Sequence, residues 1–165
     1  MNVEEKMMLT IELAKEALNK GEIPIAAIVY LGDEVVSKSF TSEKTDKRYL
    51  VHAEMKALNE ADLKRYPMKE RRKMQLFTTL EPCMMCLGAA MSFCIGEIYY
   101  ALEAPIDGAV NLAKQRWNED SKEYPSYKLP AVYGGILRGE SKELFSRYVK
   151  LNENAPAFVK NLSSL

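Results

Sequence analysis

Apolar residues recur at helical spacing where the chain begins. Val3, Met7, Met8, Ile11, Ala14, Ala17 and Leu18 fall on one side of a 3.6-residue repeat. The spacing predicts a helix over 3–19, with Asn2 as its cap and Gly21 as its stop. The pattern then becomes an unbroken apolar run over 23–30, of strand length, with Pro24 near its start where a strand tolerates proline. A Gly32-Asp33 turn follows, and 34–40 alternates weakly, as an antiparallel second strand would.

Beyond a polar, turn-prone stretch at 41–50, a helix is predicted from His52 to about Leu63. A charged segment, 64–73, precedes a buried strand over 75–80. Pro82 opens a helix through Met84, Leu87, Ala90 and Met91 that ends near Gly96. A strand at 98–101, a helix over 108–117, a Pro- and Tyr-containing loop at 120–130 and a last strand at 129–133 come next. Gly134-Gly135 breaks that strand, and a helix runs from Ser141 through Val149. The tail from Asn152 has no decisive pattern. Helices alternate with strands, which predicts an α/β fold, a three-layer α-β-α sandwich around a mixed five-stranded sheet. No repeat or linker divides the chain, so one domain over 1–165 is expected, its C-terminal helix and tail beginning near 138.

Composition narrows the function classes. The 165 residues carry 23 basic and 23 acidic side chains, so no net charge draws the chain toward nucleic acid or an anionic membrane. There is no apolar run near 18 residues, and the first residues lack a signal-peptide layout. Three cysteines, two of them three residues apart, fit a reducing cytoplasm and a metal or thiol role better than a disulfide framework.

The candidate chemistry sits in two short pieces. His52, the chain's only histidine, is followed two residues later by Glu54. Cys83 and Cys86 open the helix after Pro82. Imidazole and thiolate are good zinc ligands, and a catalytic zinc commonly keeps three protein ligands and an open position. At i and i+3 a helix places both cysteines on one face. Their place in its first turn favours thiolate over thiol. Cys94 lies eight residues beyond Cys86, ~12 Å along a helix axis, too far for one ion to reach both. The protein ligand set is therefore His52, Cys83 and Cys86 unless a carboxylate joins, and the count points to an open metal site. Glu54 is placed to accept a proton from water at that site and return it later. A Cys-x-x-Cys pair is also the mark of thioredoxin-like redox chemistry, which would leave the His-x-Glu half without a role.

His-x-Glu together with Pro-Cys-x-x-Cys is the known signature of zinc nucleobase deaminases. The chain resembles the cytidine deaminase-like superfamily, and within it the branch of tRNA adenosine deaminases, guanine deaminases and fungal-type cytosine deaminase. The similar segments are 21–27 (Gly-Glu-Ile-Pro-Ile-Ala-Ala), 52–58 (His-Ala-Glu-Met-Lys-Ala-Leu) and 78–90, which holds Pro82-Cys83-Met84-Met85-Cys86. The resemblance implies a cytidine deaminase-like fold and a Zn2+ cofactor held by His52, Cys83 and Cys86. It also implies Glu54 as the proton carrier, ammonia as a product, and a homodimer or larger oligomer. Substrate contacts are expected from Ala26, Thr41, Ala53, Glu103 and Asp107. The family often has Gly where Ala26 stands, and often an Asn just after the second strand, where this chain has Phe40, Thr41 and Ser42.

Substrate class is read from charge placement. The basic cluster at 64–73 follows the far end of the His52 helix, so it should lie across the sheet from the metal, as solvated surface or helix-end charge. The C-terminal helix mixes Lys142, Arg147 and Lys150 with Glu140, Glu143 and Glu153. The loop at 118–130, flanked by Trp117 and holding Tyr124 and Tyr127, could form a lid over a flat base or could pack the C-terminal helix. The expectation is a hydrolase acting on a small molecule, a free nucleobase, nucleoside or related amino-heterocycle, with tRNA disfavoured. The alternatives are a tRNA-specific adenosine deaminase and a non-catalytic zinc-binding protein.

Overall fold

The computed structural model describes residues 1–116 and 127–165. In chain order the elements are α1 (Val3–Asn19), β1 (Ala26–Leu31), β2 (Glu34–Phe40), α2 (Glu43–Asp46), α3 (Ala53–Leu63), α4 (Met68–Arg71), β3 (Met74–Leu80), α5 (Met84–Phe93), β4 (Glu97–Leu102), α6 (Val110–Arg116), β5 (Ala131–Tyr133), α7 (Arg138–Leu151) and α8 (Ala157–Ser164). The five strands form one sheet in the order β2-β1-β3-β4-β5. β1 is antiparallel to both β2 and β3, whereas β3, β4 and β5 run parallel through the helical crossovers α5 and α6.

Helices cover both faces, as expected. Side chains of α1, α7 and α8 pack on one face around Met7, Ile11, Phe145 and Val159, with Ile28, Tyr30, Phe77 and Tyr99 from the strands. The other face carries α3 and α5 over Val29, Leu76 and Ile98. Successive strand residues such as Leu76 and Phe77 enter opposite cores, which is why these strands read as continuous apolar runs.

β1 starts at Ala26, three residues later than the apolar run suggested. Pro24 has no N–H for a ladder, and Ile25 turns its own N–H back to the Ile23 carbonyl at 2.7 Å. Thr79 bridges the gap. Its hydroxyl donates to the Pro24 carbonyl (3.2 Å) and accepts from the Ala26 N–H (3.1 Å). α7 starts at Arg138, where the C-terminal region was expected to begin and three residues before Ser141, and the tail forms α8, which buries Val159 and Leu162 in the α1–α7 core. The one-turn helices α2 and α4 lie in segments that sequence left irregular.

The segment 64–73 joins the end of α3 to the start of β3, while the start of α3 and the end of β3 carry the site. At ~1.5 Å per helical residue and ~3.3 Å per strand residue, the two ends are roughly 16–20 Å apart. Three of its cations are engaged locally, Lys64 with the Val36 carbonyl and two others in ion pairs. Arg71 pairs with Asp62 (2.7 Å) and covers the Phe93 ring, and Lys73 pairs with Glu70 (3.1 Å).

Candidate metal centre and active site

The sheet gathers one edge of the molecule. The carboxyl ends of β3 and β4 lie beside the start of β1 and the end of β2. There, α3 and α5 begin side by side. His52 is the N-cap residue of α3 and Cys83 that of α5, so Glu54 and Cys86 fall in the first turns.

These residues converge. His52 Nδ1 is 3.7 Å from Cys83 Sγ and 3.5 Å from Cys86 Sγ, and the three donor atoms lie within 4.8 Å of one another. Tetrahedral zinc with bonds of ~2.0–2.1 Å to nitrogen and ~2.3 Å to sulfur would set nitrogen and sulfur roughly 3.6 Å apart. The residues present therefore fit the ion. Cys94 stands at the far end of α5, its thiol against the Ser92 carbonyl, outside the cluster.

The cluster's charge state suits a cation. The neighbouring Cys86 side chain and His52 hold the Cys83 pKa down to about 4 against the effect of burial. The Cys83 sulfur, with burial and Glu54, in turn pushes the Cys86 thiol far up. The Cys83 sulfur raises His52 to about 9. A metal would displace the protons kept on Cys86 and His52.

Glu54 is buried, 3% exposed, and burial raises its pKa. Its Oε1 accepts from the Thr78 hydroxyl at 3.1 Å, and Oε2 lies 3.6 Å from Cys86 Sγ. A carboxylate is thus fixed beside the position a metal would occupy, in a form that takes up a proton readily.

Three further carboxylates build the site; Glu22 and Glu81 fall in the segments that resemble the family but were given no role there, and Glu43 lies outside them. Glu43 of α2 brings Oε1 to 2.9 Å from His52 Nε2, which orients the ring so that Nδ1 faces the sulfurs. Glu22, 2% exposed, accepts from the N–H groups of Lys44 (3.2 Å) and Thr45 (2.7 Å), anchoring α2 and hence Glu43. Glu81 accepts from the N–H groups of Ala104 (3.0 Å) and Val110 (3.1 Å), tying the loop after β4 to the Cys83 corner. Glu22 and Glu81 act between loops more than 20 residues apart, and Glu43 reaches His52 from a separate one-turn helix, so no helical or strand spacing reports them.

A cavity of about 650 Å³ opens onto the cluster, in the range of small-molecule sites. Thr41, Ala53 and Asp107 line it. Thr41 is nearly fully buried and directs its hydroxyl to the Val51 carbonyl at 3.4 Å. Two expected contacts lie elsewhere. Ala26 is sealed in the α1-side core because β1 starts there, and Ile23 and Ile25 line the cavity instead. Glu103 turns to Arg138, whose Nε donates to its two oxygens at 2.8 and 3.0 Å, and it is absent from the lining. Pro156 and Phe158, from the tail that sequence left unassigned, complete the wall. In the proposed lid, Trp117 and Tyr124 fall outside the described residues, while Tyr127 is exposed.

Fold and site together define a zinc-dependent hydrolytic deaminase. Residues 1–102 match the family model described as the cytidine and deoxycytidylate deaminase zinc-binding region, and the chain belongs to that family. The tRNA-specific adenosine deaminase of Bacillus subtilis (strain 168) is 29% identical over 163 residues, covering 95% of both chains. The tRNA-specific adenosine deaminase of Aquifex aeolicus (strain VF5) is 34% identical over 113 residues, 68% of this chain and 74% of its own. A solved structure from work on A-to-I editing by tRNA:A34 deaminases superposes with a TM-score of 0.68 at 28% identity, covering 84% of this chain and 96% of that one. A guanine deaminase structure from Nitrosomonas europaea shares the fold at 20% identity, with a TM-score of 0.69 over 89% of this chain and 84% of its own.

Proposed function

We propose that this protein deaminates an adenosine held in tRNA, giving inosine and ammonia, with His52, Cys83 and Cys86 as zinc ligands and Glu54 as proton carrier. The observation that carries the reaction is the buried Glu54 carboxylate beside the His52–Cys83–Cys86 cluster, at the base of an open cavity. The substrate is carried by the kinship over nearly the whole chain with a tRNA-specific adenosine deaminase.

Zinc held by the three ligands supplies a Lewis acid that brings the pKa of water toward neutrality. Glu54 takes a proton from the attacking water and delivers it to the ring nitrogen next to the amine-bearing carbon. The water oxygen forms the new bond to that carbon. Glu54 then takes the remaining proton from that oxygen and passes it to the amino group, the carbon–nitrogen bond breaks, and ammonia leaves a carbonyl behind. The Thr78 hydroxyl holds Glu54 in place, and Glu43 holds the His52 ring. Leu80, Ala104 and Phe158 give the cavity an apolar wall beside these groups.

A second reading is a free nucleobase or nucleoside as substrate. It is favoured by Pro156 and Phe158 at the start of α8, which add an apolar wall to the cavity, and by Thr41, which stands in the lining with its hydroxyl on the Val51 carbonyl and brings no amide to pair a base edge. An ammonia-release panel separates the two. Zinc-loaded protein should deaminate an RNA anticodon stem-loop with adenosine in its loop faster than free adenosine, guanine or cytosine at equal concentration. Release from a free base alone would overturn the tRNA reading in favour of the second. A homodimer and a cytoplasmic location belong to the same proposal. Exposed Met84 beside the site supports the first, and three free cysteines support a reducing compartment for the second.

A further inference from the structure

The loop between α2 and α3 places an aromatic ring where two cavities meet. Tyr49 is 87% exposed, yet it lines both the candidate active site and a second cavity of about 630 Å³. Glu43, Ile23 and Pro156 also border both, so the two spaces form one trough. Tyr148 and Asn152 line its outer part.

The loop is held firmly. Glu22 fixes the α2 backbone, the Arg48 N–H donates to the Glu43 carbonyl at 3.2 Å, and the Ser42 N–H donates to the Val51 carbonyl at 3.4 Å. The ring is therefore presented on a fixed mount. Lys47 and Arg48, both exposed, precede it directly in the chain. Glu22, Glu43 and Glu153 border the outer space with Lys44, so its wall favours the flat face of a base, and the phosphate is left to Lys47 and Arg48 on the loop. An exposed aromatic beside cations, next to a pocket that accepts one base, is the arrangement by which single-stranded RNA is held, because every base has a face to stack.

We infer that Tyr49 is a stacking platform for the base adjacent to the reacting adenosine, and that the second cavity receives that neighbouring nucleotide. The inference rests on the tRNA reading above and adds to it where the flanking RNA lies. The reacting base enters toward Glu54, its neighbour is splayed outward against the ring, and the connecting phosphate passes Lys47 and Arg48. A free base would leave the outer compartment unused.

The test is a coupling cycle between Tyr49 and the neighbouring base, using the full zinc-loaded chain and an anticodon stem-loop RNA. Tyr49→Ala should raise KM for the intact stem-loop about tenfold, within the range of one lost base stack, with kcat within about twofold. Tyr49→Phe should restore KM. A stem-loop made abasic on the 5′ or the 3′ side of the adenosine should bind more weakly to the wild type, and at one of the two sides Tyr49→Ala should then cost nothing more. Additive losses at both sides, or an unchanged KM in Tyr49→Ala, would overturn the platform. Stem-loop binding to the Glu54→Gln chain, read by fluorescence anisotropy, keeps the two questions apart. A wild type that binds the RNA and releases no ammonia refutes the reaction, and the anisotropy cycle still judges Tyr49. A chain that binds no stem-loop refutes the platform.

Discussion

His52 is held from both sides: its Nε2 lies 2.9 Å from Glu43 Oε1, and its Nδ1 faces Cys83 and Cys86 at 3.7 and 3.5 Å. The carboxylate decides which ring nitrogen is turned to the sulfurs. Carboxylates placed this way typically contribute 10- to 100-fold in metal affinity. Glu43→Ala should therefore weaken zinc binding by about that factor, read by competition with a chelator. The half-exposed position of Glu43 should leave the melting temperature of the metal-free chain nearly unchanged. An affinity within threefold of wild type would show that the ring orients itself without Glu43.

Glu54→Gln separates proton transfer from metal binding. The amide retains the shape and an acceptor for the Thr78 hydroxyl, yet cannot carry a proton. Ammonia release should fall by about 10²–10⁴, with zinc content equal to that of wild type by elemental analysis. Retained turnover would assign the proton to another group.

Gly108 is placed by close approach. A Cβ there would collide with the Glu81 carboxylate and the Ala104 carbonyl. Gly108 also pairs with Cys83 in an isolated β-bridge. Gly108→Ala should force Glu81 off the N–H groups of Ala104 and Val110, at a cost of about 1–3 kcal/mol of the kind overpacking brings. Because the displaced segment bears on Cys83, zinc affinity should fall as well. Denaturant unfolding that differs from wild type by less than about 0.5 kcal/mol would mean the neighbours yield freely.

Glu103 gives a pH-dependent prediction. Its hydrogen bonds to Arg138 hold its pKa below the usual carboxylate value. A lowered folded-state pKa contributes stability that is present above the unfolded value and lost as pH falls through the folded one. The pair is more than a third exposed, so solvent screening leaves its contribution small. Glu103→Gln should thus lower the melting temperature slightly at pH 7, and the difference should close as pH falls below ~4. A gap that persists in acid would place its origin in packing.

Local pattern was informative wherever one element decides the outcome. The 3.6-residue repeat of α1, with Asn2 as a capping-box residue, and the start of α3 at His52 follow from side chains within a turn of one another. The expectation that 64–73 lies away from the metal also needed only chain direction, and the positions of α3 and β3 agree with it. Ala26 and Glu103 went the other way. A strand boundary moved by the Thr79 hydroxyl and an arginine from α7 decided their surroundings, and both lie far off in sequence.

By itself, then, the sequence determined the donor set His52, Cys83 and Cys86, the carboxylate Glu54 beside it and the alternation of helices and strands, because residue chemistry and short-range periodicity are written along the chain. Only the tertiary structure decided what surrounds that set. Glu22, Glu43 and Glu81 became its supports, Pro156 and Phe158 its wall, and Tyr49 its rim through contacts between separate loops and elements. Such contacts depend on where the sheet edge gathers its loops, and loop closure leaves no periodic trace in the residues that make it.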